Sequence, residues 1–485
     1  MRAIVEAMLK AGTGQVAVLA CTAFSMKILA VIGGPAGVGL FSLVRQVQQT
    51  LSMIALVGGQ NAIVQGVAST SGARRANFIA TSWILVAIAS TIVCIVMLFL
   101  ATPIAELLLP NLLQGAALLR WTAVAAALGA FLVVARSLLN AHMAIGTVAN
   151  VNVVTAFAAL LLTYPAAMAY REGWDVALIG ILTGSLGTGL IFALRWSSRE
   201  RAHLRGARVS LRGLAVREYL AVGMPSLLSG AVGMGAVLAV RAVVVRDFGL
   251  PAAGYFDAAW NVSLTLVLVF LTPVQTYLLP ALSDKADEAA WRGVLLRTLR
   301  LVLLLAVPII VGMITLKVFI LRLLYSEEFL PALELLRWTL AGDYVRVAGW
   351  VLATALVARA DMRSYLVAEI GWNIVFMAAT LGFLKQGIED VGPAYLGAYF
   401  TYLVLLVFLL HQRHAMVLDR RTVIAWLAGA GTIAATSVFA WSTELAPWQG
   451  AACLTAAVAC SVLCMTANER RAAASALLRV ARIRR

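Results

Sequence analysis

The chain alternates long apolar stretches with short polar ones, and the apolar stretches are about as long as a membrane is thick. Crossing roughly 30 Å of hydrocarbon takes about 20 residues as a helix. Backbone groups inside lipid must satisfy one another, so these stretches are predicted to be helices. In the first half they are Val16–Ile32, Val38–Val57, Phe78–Ala101, Ala116–Leu139, Val148–Ala169 and Val176–Leu194. The second half holds Tyr219–Val245, Tyr255–Leu279, Val294–Leu316, Leu335–Val357, Tyr365–Leu384 and Ala394–Leu410. Val423–Trp441 and Gly450–Ala467 follow, for a total of fourteen spans.

The pattern is also written twice. Leu118-Leu119-Arg120-Trp121-Thr122 returns as Leu335-Leu336-Arg337-Trp338-Thr339, 217 residues later. Gly39-Leu40-Phe41 is echoed by Gly254-Tyr255-Phe256, and Gln60 by Gln275, 215 residues later. An even number of spans per copy starts both copies on the same side, so the repeats are expected to be parallel. The expected organisation is an N-terminal six-helix lobe (1–200), an arginine-rich linker (201–217), a second six-helix lobe (218–411), and an extra helix pair with a basic tail (412–485). A duplicated set of spans places its site between the halves, which is the layout of a transporter.

Composition agrees with an all-α integral membrane protein. Hydrophobic residues make up 62% of the 485 residues and charged ones 12%, against about a quarter charged in soluble domains. The net charge of +16 is mostly a matter of topology. Arg74-Arg75, the run Arg195–Arg217, Arg359, Arg363, Arg413, Arg420, Arg421 and the tail from Arg470 fall on alternate loops. Cytoplasmic loops carry such an excess, which puts both termini in the cytoplasm. The arginine run lacks the interleaved aromatics of a nucleic-acid surface, so no nucleic-acid partner is expected. Membrane lipid is the expected surrounding partner.

The five cysteines, Cys21, Cys94, Cys453, Cys460 and Cys464, lie within spans and lack metal-ligand spacing. His411 and His414 could share a helical face, but no carboxylate completes a zinc set. No phosphate loop or nucleophile elbow is present, so no metal and no cofactor are expected.

Chemistry is left to polar residues inside spans, where a charge is expensive and usually faces a cavity or a partner. Arg45, Gln48, Gln49 and Ser52 recur on one face of the second span, with Ser42, Gln46 and Thr50 beside them. The equivalent eighth span carries Asp257, Asn261 and Thr265 in place of Ser42, Gln46 and Thr50. Lys27 and Arg241 occupy corresponding places in the first and seventh spans. A cationic cavity floor of Arg45, Arg241 and Lys27 would suit an anionic head group, because arginine matches phosphate oxygens with a planar fork of donors. Gln and Asn beside it would suit hydroxyl-rich sugar. The alternative is helix–helix hydrogen bonding in a packed bundle. Arg120 and Arg337 read as interface anchors beside tryptophan. Asp343 and Arg346 read as a structural pair. Glu369 reads as a titrating carboxylate for ion coupling, with Asn373 on its face.

The stretch from Ile32-Gly33-Gly34-Pro35 through Gly39-Leu40-Phe41, then a glutamine-rich span and Val57-Gly58-Gly59-Gln60-Asn61, resembles the N-terminal region of bacterial polysaccharide flippases. These belong to the multidrug/oligosaccharidyl-lipid/polysaccharide superfamily. That resemblance implies two six-helix lobes around a V-shaped central cavity. It implies an undecaprenyl-pyrophosphate-linked oligosaccharide carried across the cytoplasmic membrane by alternating access, for O-antigen or exopolysaccharide synthesis, with a polysaccharide polymerase complex as a further candidate partner. Basic residues of the first, second, seventh and eighth spans line such a cavity, and the matching positions here are Lys27, Arg45 and Arg241. The eighth span departs from this by offering Asp257. Fourteen spans resemble the peptidoglycan-precursor branch, which leaves that substrate open. A drug or cation antiporter of the same superfamily would want acids in its cavity. A membrane polymerase or ligase would want a large outer loop, and Thr102–Gly115 and Lys317–Glu334 are short.

Overall fold

A computed structural model describes residues 2–110, 112–196, 214–283, 287–383, 387–441, 445–466 and 469–470. The linker expected over 201–217 lies outside these up to residue 213, as does the basic tail beyond Arg470. The described residues form helices and no strands. In chain order they are α1 (Arg2–Ala55), α2 (Gln60–Ser69), α3 (Gly72–Leu108), α4 (Gly115–Ala141), α5 (Ile145–Arg171), α6 (Ala177–Trp196) and α7 (Leu214–Ser283). These are followed by α8 (Glu288–Thr315), α9 (Lys317–Leu324), α10 (Leu333–Ala358), α11 (Met362–Phe383), α12 (Val391–His414), α13 (Arg420–Phe439) and α14 (Pro447–Cys464).

Twelve helical stretches among the described residues are long and apolar enough to cross a membrane. Two of them are too long for a single crossing. The 54 residues of α1 would extend about 80 Å at 1.5 Å per residue, and the 70 residues of α7 would extend further. Each is broken once, α1 at Gly34 (φ 62°) and α7 at Gly249 (φ 83°). These are left-handed conformations that glycine adopts without a Cβ clash. Pro35 and Pro251 follow, within the first turn of the resuming helix, where proline is tolerated. The breaks turn twelve stretches into fourteen crossings, matching the sequence expectation.

The breaks also carry the repeat into three dimensions. Gly34 and Gly249 are 215 residues apart. A second pair, 217 apart, is Met143 and Ala360, which share a φ of 55°. Both sit in the same short turn. Met143 N donates to Asn140 O and Ala360 N to Val357 O; Ala144 N donates to Leu139 O and Asp361 N to Leu356 O. The copies diverge at their second crossing. The first unwinds at Val57 and Gly58, both left-handed, before α2 starts. The helix of the second continues to Ser283.

The chain divides into two compact units, Met1–Asp257 with Leu323–Phe329, and Ala258–Arg322 with Leu330–Arg485. In the first, α4 packs against α1, α3 and α6, and α5 lies along α1 and α6. In the second, α10 packs against α8 and α12, and it is the most deeply buried crossing among the described residues. The C-terminal pair docks on this unit. Ser461 Oγ donates to Leu304 O at 2.7 Å, Tyr344 Oη to Trp426 O at 3.3 Å, and the Arg337 guanidinium stacks 3.5 Å over Trp441. Arg337 is therefore a buried clasp for the added pair and not the interface anchor expected from its motif. Its counterpart Arg120 is exposed beside an exposed Trp121, as an anchor should be.

Candidate functional site

The first unit concentrates charge where its crossings meet. Arg241 is 3% exposed and Asp257 is fully buried. Arg241 Nη2 donates to Asp257 Oδ1 at 2.7 Å, and its Nη1 donates to the Ser42 carbonyl at 2.9 Å. Arg45 brings a second guanidinium to the same carboxylate oxygen at 3.6 Å, with its side chain 23% exposed. The acid that is missing from Arg45's own helix thus comes from α7. Arg45 also lies 5.8 Å from the Phe41 ring centroid and Arg241 5.6 Å from that of Phe256, so each cation has an aromatic face. Lys27, on the first limb of α1, donates its ammonium to the Tyr325 carbonyl.

Glycine makes this meeting close enough. A Cβ on Gly39 would collide with the carbonyl oxygen of Leu250, and one on Gly254 with that of Pro35. Gly254 and Leu250 lie 215 residues after Gly39 and Pro35, so the contact is reciprocal, as at a two-fold axis. At the other end of the same crossings Tyr219 Oη donates to Leu56 O at 2.6 Å, and a Cβ on Gly58 would strike the Gly223 carbonyl.

The expected polar stripe divides. Gln48 Nε2 donates to Ser52 Oγ at 2.8 Å, and Ser52 Oγ donates to Ala126 O at 2.7 Å. Both side chains also lie over Gly129. Gln48 and Ser52 therefore bond α1 to α4, the kind of contact that the packing alternative describes. Gln46 is buried with its carbonyl taken by Thr50, and Gln49 is exposed. Asn261 falls in the second unit, half-buried.

The second unit holds a polar network that the sequence reading caught only in part. Tyr395 Oη donates to Asp343 Oδ1 at 2.8 Å, and Arg346 Nη1 donates to Tyr395 Oη at 3.2 Å. Arg346 and Asp343 are 3.8 Å apart, so the expected pair is joined chiefly through the tyrosine. Tyr402 Oη donates to Glu369 Oε1 at 2.6 Å, and Asn373 Nδ2 donates to the Glu369 carbonyl at 2.8 Å. The signal missed was Tyr395, Tyr399 and Tyr402 on α12, at helical spacings of four and three. Among the described residues no group of His, Cys, Asp and Glu could hold a metal.

A family model described as polysaccharide biosynthesis protein matches residues 28–334, more than half of the chain. The chain belongs to the polysaccharide biosynthesis protein family. It is 24% identical over 396 residues to the lipid III flippase of Escherichia coli (strain K12), covering 80% of this chain and 94% of that protein. Its fold is shared with the lipid II flippase MurJ in an inward closed conformation, at TM-score 0.72 and 14% identity, covering 95% of this chain and 98% of that one. A multidrug resistance MATE family transporter of the MOP superfamily, in its inward-facing conformation, matches at TM-score 0.68 and 15% identity, covering 87% and 96%. Flippases and transporters thus share this architecture, as the resemblance implied.

Proposed function

We propose that this protein translocates an undecaprenyl-pyrophosphate-linked oligosaccharide from the cytoplasmic to the outer leaflet of a bacterial cytoplasmic membrane, by alternating access, for O-antigen or exopolysaccharide synthesis. The observation that carries this reading is the two arginines, Arg45 and Arg241, gathered on one carboxylate within the crossings of a polysaccharide biosynthesis family member. Arg241 is the fixed partner. It holds Asp257, which in turn holds the more exposed Arg45. Arg45 is then the group that meets the pyrophosphate, with Lys27 as a second cation. A guanidinium in a low-dielectric site binds phosphate oxygens through short, charge-assisted bonds. The protein catalyses no bond change in this reading, and both termini face the cytoplasm.

The acids within the crossings argue against a cationic drug as substrate. Asp257 is held by arginine, Asp343 by tyrosine and arginine, and Glu369 by tyrosine. Glu369 keeps a role in ion coupling as part of this proposal. A peptidoglycan lipid precursor is the second reading, favoured by the fourteen crossings and by the fold match to a lipid II flippase. Deleting the gene separates the readings. Loss of surface glycan in a viable strain, restored by the wild-type gene and not by Arg45→Ala at matched protein level, is the expected result. Lysis with arrested peptidoglycan would establish the second reading. Normal glycan with altered drug tolerance would remove both.

A further inference from the structure

The first unit contains a cavity of about 460 Å³ that the arginine cluster does not use. It lies between α2, the last turns of α4 and the first turns of α5, on the side that the arginine-rich loops mark as cytoplasmic. Its polar walls include Gln60, Asn61, Gln65, Arg136, Asn140 and Asn152. The volume is within the roughly 300–1,000 Å³ of small-molecule sites, while the lining is far more polar than most. No carboxylate lines it.

The second copy of the repeat lacks two of these groups. The turn at Met143 and Ala360 fixes the alignment of α4–α5 with α10–α11 without a gap. Arg136 then corresponds to Ala353, which is buried, and Asn140 to Val357, which is half-buried, both apolar residues. The same helix pair forms without the charge and without the amide. In the first copy Arg136 has a single side-chain bond, Nη2 to Thr155 Oγ1 at 3.3 Å, and its Nε is buried with no partner. Arg136 also lines the cavity, so the rest of its guanidinium fork is what a ligand there would meet.

We infer that this cavity is a saccharide-binding site for an acidic, hydroxyl-rich sugar group. Each carboxamide offers two donors and an acceptor, the complement of neighbouring sugar hydroxyls. Arg136 supplies a planar fork for one carboxylate. The inference rests on the proposed transport of a lipid-linked oligosaccharide and places the sugar end in the first unit, apart from the arginines assigned to the pyrophosphate.

The test is thermal stabilisation of the purified full-length protein, in a detergent without a sugar head group, by trigalacturonic acid, maltotriose and inorganic phosphate. Trigalacturonic acid should act at the lowest concentration, maltotriose should act more weakly, and phosphate should have no effect. Arg136→Ala with Asn140→Val, the residues of the second copy, should abolish both saccharide effects. Arg136→Gln keeps a polar side chain and should weaken the acidic probe tenfold or more while leaving maltotriose unchanged. Phosphate matching the acidic probe, stabilisation surviving in the double variant, or no response to any probe overturns the inference. A deletion strain that keeps its surface glycan sinks the transport reading whatever the probes do. A strain that loses its glycan, with a protein that ignores the probes, sinks only this one.

Discussion

Arg241 and Asp257 form a 2.7 Å ion pair with both side chains almost wholly out of solvent. Removing one member of such a pair leaves an uncompensated buried charge, at about 3–5 kcal/mol. The two losses differ here. Without Arg241, Asp257 still has Arg45 at 3.6 Å. Without Asp257, the buried guanidinium of Arg241 loses its carboxylate and keeps the Ser42 carbonyl. Asp257→Ala should therefore lower the amount of folded protein more than Arg241→Ala, read by fluorescence-detected size exclusion. The double variant Arg241→Met with Asp257→Leu should regain folded protein and remain inactive in glycan export. Full export by that variant would make the pair purely structural.

Gly39 and Gly254 make one reciprocal contact, so their substitutions should fail alike. A methyl group at either would meet a backbone carbonyl, which cannot rotate away. Overpacking of this kind costs typically 1–3 kcal/mol. Gly39→Ala and Gly254→Ala should lower the melting temperature by similar amounts. Gly146→Ala, where nothing lies within 4 Å of the added carbon, is the control. One glycine tolerating alanine while the other does not would break the two-fold description.

Much of this architecture was legible in the sequence because lipid permits few solutions. Span length alone set the fourteen crossings, and repeated motifs such as Gly39-Leu40-Phe41 with Gly254-Tyr255-Phe256 exposed the duplication, while the paired breaks at Gly34 and Gly249 emerged only from the backbone. The site was legible in residue type but not in partner. Arg45, Gln48 and Ser52 share a helical face, yet periodicity cannot say which neighbour that face meets. Gln48 and Ser52 met α4, and Arg45 met an acid from α7. Arg337 misled for a related reason. An identical pentapeptide implied an identical role, but Trp441 from the added pair covers the second copy.

That cover gives a comparison within one molecule. A desolvated cation–π contact is worth about 2 kcal/mol and an exposed one less. Arg337→Ala should lower the melting temperature by several degrees and speed proteolysis between α13 and α14. Arg120→Ala should change neither measurably. Equal effects would mean that the stacking does not hold the helix pair.

Acid should loosen the C-terminal segment. Glu469 lies outside the crossings and accepts from Arg300 Nε at 3.1 Å, while its Oε2 accepts from Thr466 N at 2.8 Å. Burial pushes its carboxyl up, but the Arg300 and Thr466 hydrogen bonds more than offset this and hold it below the usual value. A depressed carboxyl contributes stability that is fully present above the unfolded value of about 4.3. That stability is lost as pH falls through the lower folded value. Protease cleavage after α14 should therefore accelerate below about pH 4.3. Glu469→Gln should cleave fast at every pH. A wild-type rate that is flat across this range would exclude the link.

The transport step turns on Arg45, the more exposed of the two guanidinia on Asp257. Lysine keeps the charge but offers a point contact in place of a planar fork, so it should serve poorly where two phosphate oxygens must be held at once. Losing a charge-assisted bond costs about 1.5–3 kcal/mol, roughly tenfold to a hundredfold in affinity. Arg45→Ala should abolish surface glycan, and Arg45→Lys should restore a small part of it, both at wild-type protein level. Gln49→Ala, an exposed neighbour on the same helix, should have a milder effect. Full function of Arg45→Lys would reduce the requirement to charge alone. Full function of Arg45→Ala would move the pyrophosphate away from this cluster altogether.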